Sequence, residues 1–418
     1  MAAAQQRSPR LTPTPLYGAG LDGSTLPALY ERLRAAHGPV APVLIAPGIP
    51  AWLVLGFTEL LQLARDEHSF SHDPRNWRLL REGRVPPDSP IMATVDWRPA
   101  LLYADGRQHR RMRSSVSAAL ERVNGHALRR TVRATAEQLI GSFADSGRAD
   151  LVPHYARRLP LRVVTQLLGL DERAGQQLVQ AALGTAAANA DSANASDRLS
   201  GILTGLIAAR RAAPGEDFIS ILVRHPAALT DEEILHNLVV VFVSANQPTV
   251  DWIATTLRIL LTDPALGPSV AGGRLTVDDA LDQALWRHPP VHNCPARYAL
   301  RELRFGGQEI HSGDMLLLGL AGANADPAVR PPGGCPVTGN RSHLAFGAGP
   351  HACPAQDLAR LITRTAVETL LHRLPQLRLA VAEEELSWIT SPWAPSPAAL
   401  PVRLGPVAGL GPGALTGR

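Results

Sequence analysis

Lysine is absent from the 418 residues: all 41 basic side chains are arginine, set against 37 acidic ones for a formal net charge of +4 and a pI near 9.3. The arginines form no tight run, and Arg110, Arg111 and Arg113 are the densest group. Nucleic-acid recognition calls for a basic stripe with interleaved aromatics, and aromatics make up only 5% of the chain. No nucleic-acid partner is expected. Cysteine is scarce too: Cys294, Cys335 and Cys353, an odd number that argues against a disulfide framework and suits a reducing compartment. Long apolar runs are missing. The longest, Leu238 to Val243, falls far short of the ~20 residues of a membrane span. The opening MAAAQQRSPRLTPTP lacks the apolar centre of a secretory signal. These absences predict a cytoplasmic protein with no membrane attachment.

What is present suits a globular chain, 45% hydrophobic and 19% charged. The length would allow about two to three domains, but no repeat or long linker divides it, so one large, mainly helical unit with small β sheets is expected. Residues 1–16 read as a disordered tail, 17–404 as the folded unit and 405–418 as a Gly/Pro-rich tail. Helices are predicted over 26–36, 58–65 and 105–120, and strands over 43–45 and 52–56. Residues 72–104 read as a long loop with a short helical piece. The stretch Gly184–Ser196, GTAAANADSANAS, has no large side chains to order it. Thr230-Asp231-Glu232-Glu233 starts a long helix over 234–261. Its segment Leu238–Val243, apolar on every side, is expected to be buried all round.

The chemistry concentrates in His343 to Arg360, HLAFGAGPHACPAQDLAR. Gly347 and Gly349 allow the backbone close to a flat partner. Pro354 suits a first helical position, and Cys353, placed at a helix N-terminus, is favoured as thiolate, a ligand for iron or zinc. On the basic helix, His109 and Arg113 are four apart and share a face, as binding an anionic group requires.

The order Phe346-Gly347-x-Gly349-x-His351-x-Cys353 resembles the haem-binding loop of the cytochrome P450 family, with Ala355 where the family usually has glycine. The likeness extends from about residue 20 to 404. It implies the cytochrome P450 fold, haem b (iron protoporphyrin IX) as cofactor and Cys353 as the iron ligand. His109, Arg113, Arg297 and His351 would hold the propionates, and Cys335, without such a loop, would not bind iron. It further implies a monomeric monooxygenase that oxidises a small apolar molecule with dioxygen and electrons from a ferredoxin and ferredoxin reductase. By the same likeness, 72–104 covers the substrate and 184–196 is a mobile roof.

Two departures stand out. On the central helix the family's acid–threonine pair falls on Gln247 and Pro248, which supply neither a carboxylate nor a hydroxyl. Gln247 and the neighbouring Thr249 are the substitute candidates, with Asp251 nearby. The family's Glu-x-x-Arg pair falls on Gln283 and Trp286, as in a subset of actinobacterial members. A peroxide-driven enzyme, or a weakly catalytic haem protein with a binding or regulatory role, are the alternatives that these losses raise.

Overall fold

The computed structural model describes residues 12–18, 20–87, 89, 91–170, 172–186, 192–330 and 339–405. Most of the two predicted tails, Cys335 with most of the segment around it, and the centre of the Gly184–Ser196 stretch lie outside the described residues. The architecture is mainly helical with a small six-stranded sheet. In space the strands run Thr14–Pro15, Val40–Ala46, Ile49–Val54, Met315–Leu318, Cys294–Ala299 and Phe70–Ser71. Pro47-Gly48 turns the first long hairpin, with Gly48 at φ 72°. The expected tail ends early: Thr14–Pro15 pairs in parallel with Val43 and Leu44. Leu16 is fully buried, its N–H donating to the Leu44 carbonyl at 2.7 Å, because an apolar side chain there has a sheet to pack on.

The expected helices form over Leu26–His37, Phe57–Arg65 and Gly106–Glu121. The central helix runs Asp231–Thr262 and passes through Pro248. Its start is fixed as the sequence predicts. The Thr230 hydroxyl accepts the Glu233 N–H at 3.1 Å, and the Glu233 carboxylate accepts the Thr230 N–H at 3.0 Å. Its second half, Val250 to Leu260, is buried throughout, packed with the helices Gly125–Gly141 and Gln356–Arg373 into the largest apolar cluster.

Two expectations need correction. Leu238–Val243 is not buried all round: Leu238 and Phe242 are, but Val243 is 55% exposed. Val243, Ser244 and Gln247 make one exposed face, because the helix packs its other side against Leu199, Leu203 and their neighbours. The Gly184–Ser196 stretch is helical at both ends, in Glu172–Ala186 and Ser192–Ala212; Ala and Ser suit a helix even where they cannot build a core. The end of the chain divides between two small sheets. Trp388–Ile389 pairs with Ser396–Pro397, while Pro401–Arg403 joins Arg378–Leu379 and Arg148–Asp150.

Candidate active site

Cys353 is presented by a loop whose shape the backbone enforces. Gly347 and Gly349 adopt φ of 70° and 69°, a region costly for other residues. The Cys353 N–H donates to the Phe346 carbonyl at 2.8 Å, and the Ala352 N–H to that of Gly349 at 3.0 Å. A Cβ on Gly349 would stand 2.2 Å from the Ala64 carbonyl oxygen, so this glycine lets the loop seat on the helix Phe57–Arg65. The following helix begins at Gln356, three residues past the cysteine, so Pro354 lies in the preceding turn. The Ala355 N–H donates to the Cys353 sulfur and the Arg113 charge lies near it, yet burial outweighs both and raises the thiol. Burial thus outweighs the lowering that the sequence position led one to expect.

Beside this loop three imidazoles stack. His351 lies 3.3 Å, ring centre to ring centre, from His72 and 3.7 Å from His109. Asp105, just before the basic helix, accepts from Ser71 and His72 and fixes the His72 ring through Nδ1 at 2.8 Å. Burial is the first cause that lowers all three imidazoles, His72 to about 4, and neighbouring cations add to it. Arg297, on an inner strand rather than an edge, is buried and lowered to about 10, chiefly by that burial. Arg113 donates to the Ala352 carbonyl at 2.6 Å. The sequence-predicted His109, Arg113, Arg297, His351 and Cys353 thus converge. His72 was not foreseen: it sits in a proline-rich loop, and no spacing ties it to residue 105 or 351.

This cluster has donors to spare. Both His109 nitrogens, Nε2 of His72 and of His351, and Nε of Arg297 are buried without a partner. The imidazoles with Glu67 or Asp105 bring three ligand atoms within 4.8 Å of one another, but two guanidinium groups act on the same rings and favour an anion over a cation.

The central helix lies against the loop, with Trp252 edge-on to Phe346 at 5.7 Å. On the oxygen side of this helix the Thr249 hydroxyl donates to the Ala245 carbonyl at 2.7 Å and is buried, a back-bond within the helix that occupies its one proton. Gln247 is exposed and donates to the Asp251 carboxylate at 2.8 Å. Asp251 is buried and raised to about 7, because desolvation outweighs the Ser396 and Gln247 hydrogen bonds and the Arg157 charge. The Leu101 N–H donates to the Asn237 side chain at 2.9 Å, tying the end of the 72–104 segment to the same helix. In the helix Val277–Arg287, the Gln283 oxygen is buried without a partner, while the Trp286 indole donates to the Asn340 carbonyl at 2.7 Å.

A fold of this kind with a glycine-shaped cysteine loop and an anion-ready cluster defines a haem-thiolate protein, and comparison with known proteins agrees. No family model matches the chain. It is 32% identical to the cytochrome P450 monooxygenase PikC of Streptomyces venezuelae, over 90% of each chain. It is 29% identical to mycinamicin IV hydroxylase/epoxidase of Micromonospora griseorubida, over 91% of this chain and 96% of that one. Among solved structures, CYP154A1 of Streptomyces coelicolor A3(2) superposes with a TM-score of 0.81 at 29% identity, covering 94% of this chain and all of the other. CYP154C4 of Streptomyces sp. W2061 gives 0.85 at 27%, covering 96% and 99%. The chain belongs to the cytochrome P450 family. It is a haem-thiolate monooxygenase of the bacterial kind, with haem b as cofactor. The residues present fit that group: a half-buried cysteine in a constrained loop, next to buried imidazole and guanidinium donors with no other partner. Among the described residues no helix is long and apolar enough to cross a membrane.

Proposed function

We propose that this monooxygenase oxidises a small apolar organic molecule using dioxygen and electrons delivered by a ferredoxin and its reductase. The folded unit, extended from 17–404 to take in Thr14–Leu16, would act as one cytoplasmic, monomeric haem-binding protein. The observation that carries the reading is the Cys353 loop set against the His72–His351–His109 stack. Cys353 would ligate the iron, its sulfur steadied by the Ala355 N–H and the Arg113 charge. His109, Arg113, Arg297 and His351, with His72, would neutralise the propionates. The bound haem supplies oxygen activation; the chain supplies the ligand, the counter-charges and the pocket. Val243, Ser244 and Gln247 form the exposed face of the central helix and are suited to meet substrate. Relatives bear names such as mycinamicin IV hydroxylase/epoxidase, vitamin D(3) 25-hydroxylase and 6-deoxyerythronolide B hydroxylase. These names support an organic molecule as the substrate.

On the oxygen side, Gln247 would act by orienting Asp251, the buried carboxylate to which it donates. The Thr249 hydroxyl donates to the Ala245 carbonyl, which argues for a packing role rather than for that of the substitute hydroxyl. That back-bond, with Pro248 beside it, favours a second reading: a haem-thiolate enzyme driven by peroxide, which needs no proton delivery to dioxygen. Measuring product and peroxide per electron consumed, over a broad panel of apolar substrates, separates the two. Product in step with electrons supports the monooxygenase; peroxide alone, with added peroxide yielding product, supports the second reading. Binding without product under either condition leaves the regulatory role.

A further inference from the structure

The helix Val277–Arg287 lacks the family's internal acid–base pair, yet it buries one acid. Asp282 is 2% exposed. Two arginines from outside the helix converge on it. Nη2 of Arg360 contacts its Oδ1, and Nε of Arg341 donates to its Oδ2 at 3.3 Å. Nε2 of His343 stands 4.0 Å from Oδ1, on a ring whose burial keeps it neutral. Arg360 is held further by Asp278 at 3.3 Å, and its guanidinium lies 5.6 Å from the centre of the Trp252 ring on the central helix. Arg364 pairs with the same Asp278 at 3.1 Å. The Trp286 indole, standing where the family has its arginine, donates to the carbonyl of Asn340, the residue before Arg341.

The places of these arginines in the chain are what matter. Arg341 precedes the cysteine loop and Arg360 follows it, so one carboxylate fastens both flanks of the segment that presents Cys353. Within that segment, positive-φ glycines, turn hydrogen bonds, the Arg113 bond to the Ala352 carbonyl and the Leu344 N–H bond to Asn324 act as further restraints. A carboxylate this deeply buried persists only with partners, and here both partners belong to the loop's ends. The Arg360 side chain is 14% exposed and that of Arg341 58%. The first arm is thus shielded, and the second is weakened by solvent.

We propose that Asp282, with Arg360 and Arg341, is the positioning device for the cysteine loop and takes over the work of the pair lost at Gln283 and Trp286. Asp282 joins its helix directly to both ends of the loop. The consequence for iron ligation rests on Cys353 being the ligand, but the fastening itself does not.

The test is hydrogen exchange read by mass spectrometry on the holoenzyme, together with the ferrous–carbon monoxide spectrum. Asp282→Asn keeps the shape and removes the charge. It should speed exchange across residues 343–356 by about tenfold or more and move part of the carbon monoxide complex away from the thiolate-type band. Asp282→Glu should recover both readouts. Arg360→Gln should match Asp282→Asn, and the double variant should be no worse than either alone. Arg341→Gln should loosen only the entry side of the loop. Unchanged exchange and spectrum in Asp282→Asn overturn the proposal. So does a uniform rise that reaches the Val40–Val54 hairpin equally, which would mark general destabilisation. If Asp282→Asn does not fold, Arg341→Gln and Arg360→Lys decide: parental exchange across 343–356 in both overturns it. A parental pigment spectrum in Cys353→Ser would instead overturn the ligand assignment and leave the exchange result standing.

Discussion

The cysteine loop packs on the central helix through Phe346 and Trp252, just past the oxygen-side turn, yet the loop and that turn have fared differently. The loop keeps the family's pattern in all but Ala355. The turn has lost both of its functional side chains to Gln247 and Pro248. The loop is pinned by backbone conformation, by a glycine with no room for a Cβ, and by ion pairs at its flanks; changing it disturbs folding and chemistry together. The turn lies in a long helix that is fixed by its capping box and by its buried second half, so its side chains can change without loss of the helix. Chemistry that depends only on side-chain identity is the easier to lose.

The largest effect should come from the loop. Cys353→Ser should abolish the thiolate-type ferrous–carbon monoxide band and lower product formation by at least about a thousandfold, as read by difference spectroscopy and single-substrate turnover. Next in size is the fold of the loop itself. Gly349→Ala combines a positive φ with a Cβ 2.2 Å from the Ala64 carbonyl, and should cost about 2–4 kcal/mol in urea unfolding. Gly347→Ala has the same φ but its nearest neighbour at 3.9 Å, so it should cost only about 1–2 kcal/mol. Equal losses would mean that the contact with the helix Phe57–Arg65 carries no weight.

The same contrast explains what the sequence showed. The loop, the basic helix and the capping boxes were legible because each is a local pattern with its own physical signature. Thr230 with Glu233 predicts a helix start wherever it stands. His109 and Arg113 share a face by spacing alone. His72 was illegible because its partners, Asp105 and His351, are distant in sequence and only folding brings them together. Asp282 was hidden likewise: beside Gln283 it reads as an ordinary helix acid until Arg341 and Arg360 arrive. Val243 misled because an apolar run does not say which of its residues the fold will leave uncovered.

A smaller effect belongs to Asp251. Its carboxyl is raised from 3.8 to about 7, so the folded protein keeps a proton that the unfolded chain has already lost. Stability from this group therefore falls as pH rises from about 4 to 7, by up to about 1.4 kcal/mol per pH unit. The buried histidines act in the opposite direction: His72 and His292 lie near 4, below their usual 6.5. Stability from them rises with pH over that window and is complete above it. The comparison is therefore parent against Asp251→Asn between pH 6 and 8. The variant should lose less stability than the parent as pH rises, and its infrared spectrum should lack a protonated-carboxyl band that fades near neutrality in the parent. Parallel stability curves would place the Asp251 proton elsewhere.

The smallest effects test whether the oxygen-side turn can be repaired. Thr249 already spends its proton on Ala245 at 2.7 Å, and the residue is buried. Thr249→Val removes that bond from a buried site while keeping the shape, so product per electron should change by less than about twofold. Pro248→Thr does the reverse. It returns a backbone N–H to the helix interior and puts a hydroxyl at the position where the family normally carries one. If the loss at this turn limits oxygen chemistry, product per electron should rise by about two- to fivefold, with peroxide release falling in step. A peroxide-driven enzyme would show no such gain, because its oxidant arrives with the protons in place. The ratio between these two variants, neighbours in sequence but a rotation of about 100° apart on the helix, measures whether the position of the hydroxyl or merely its presence matters here.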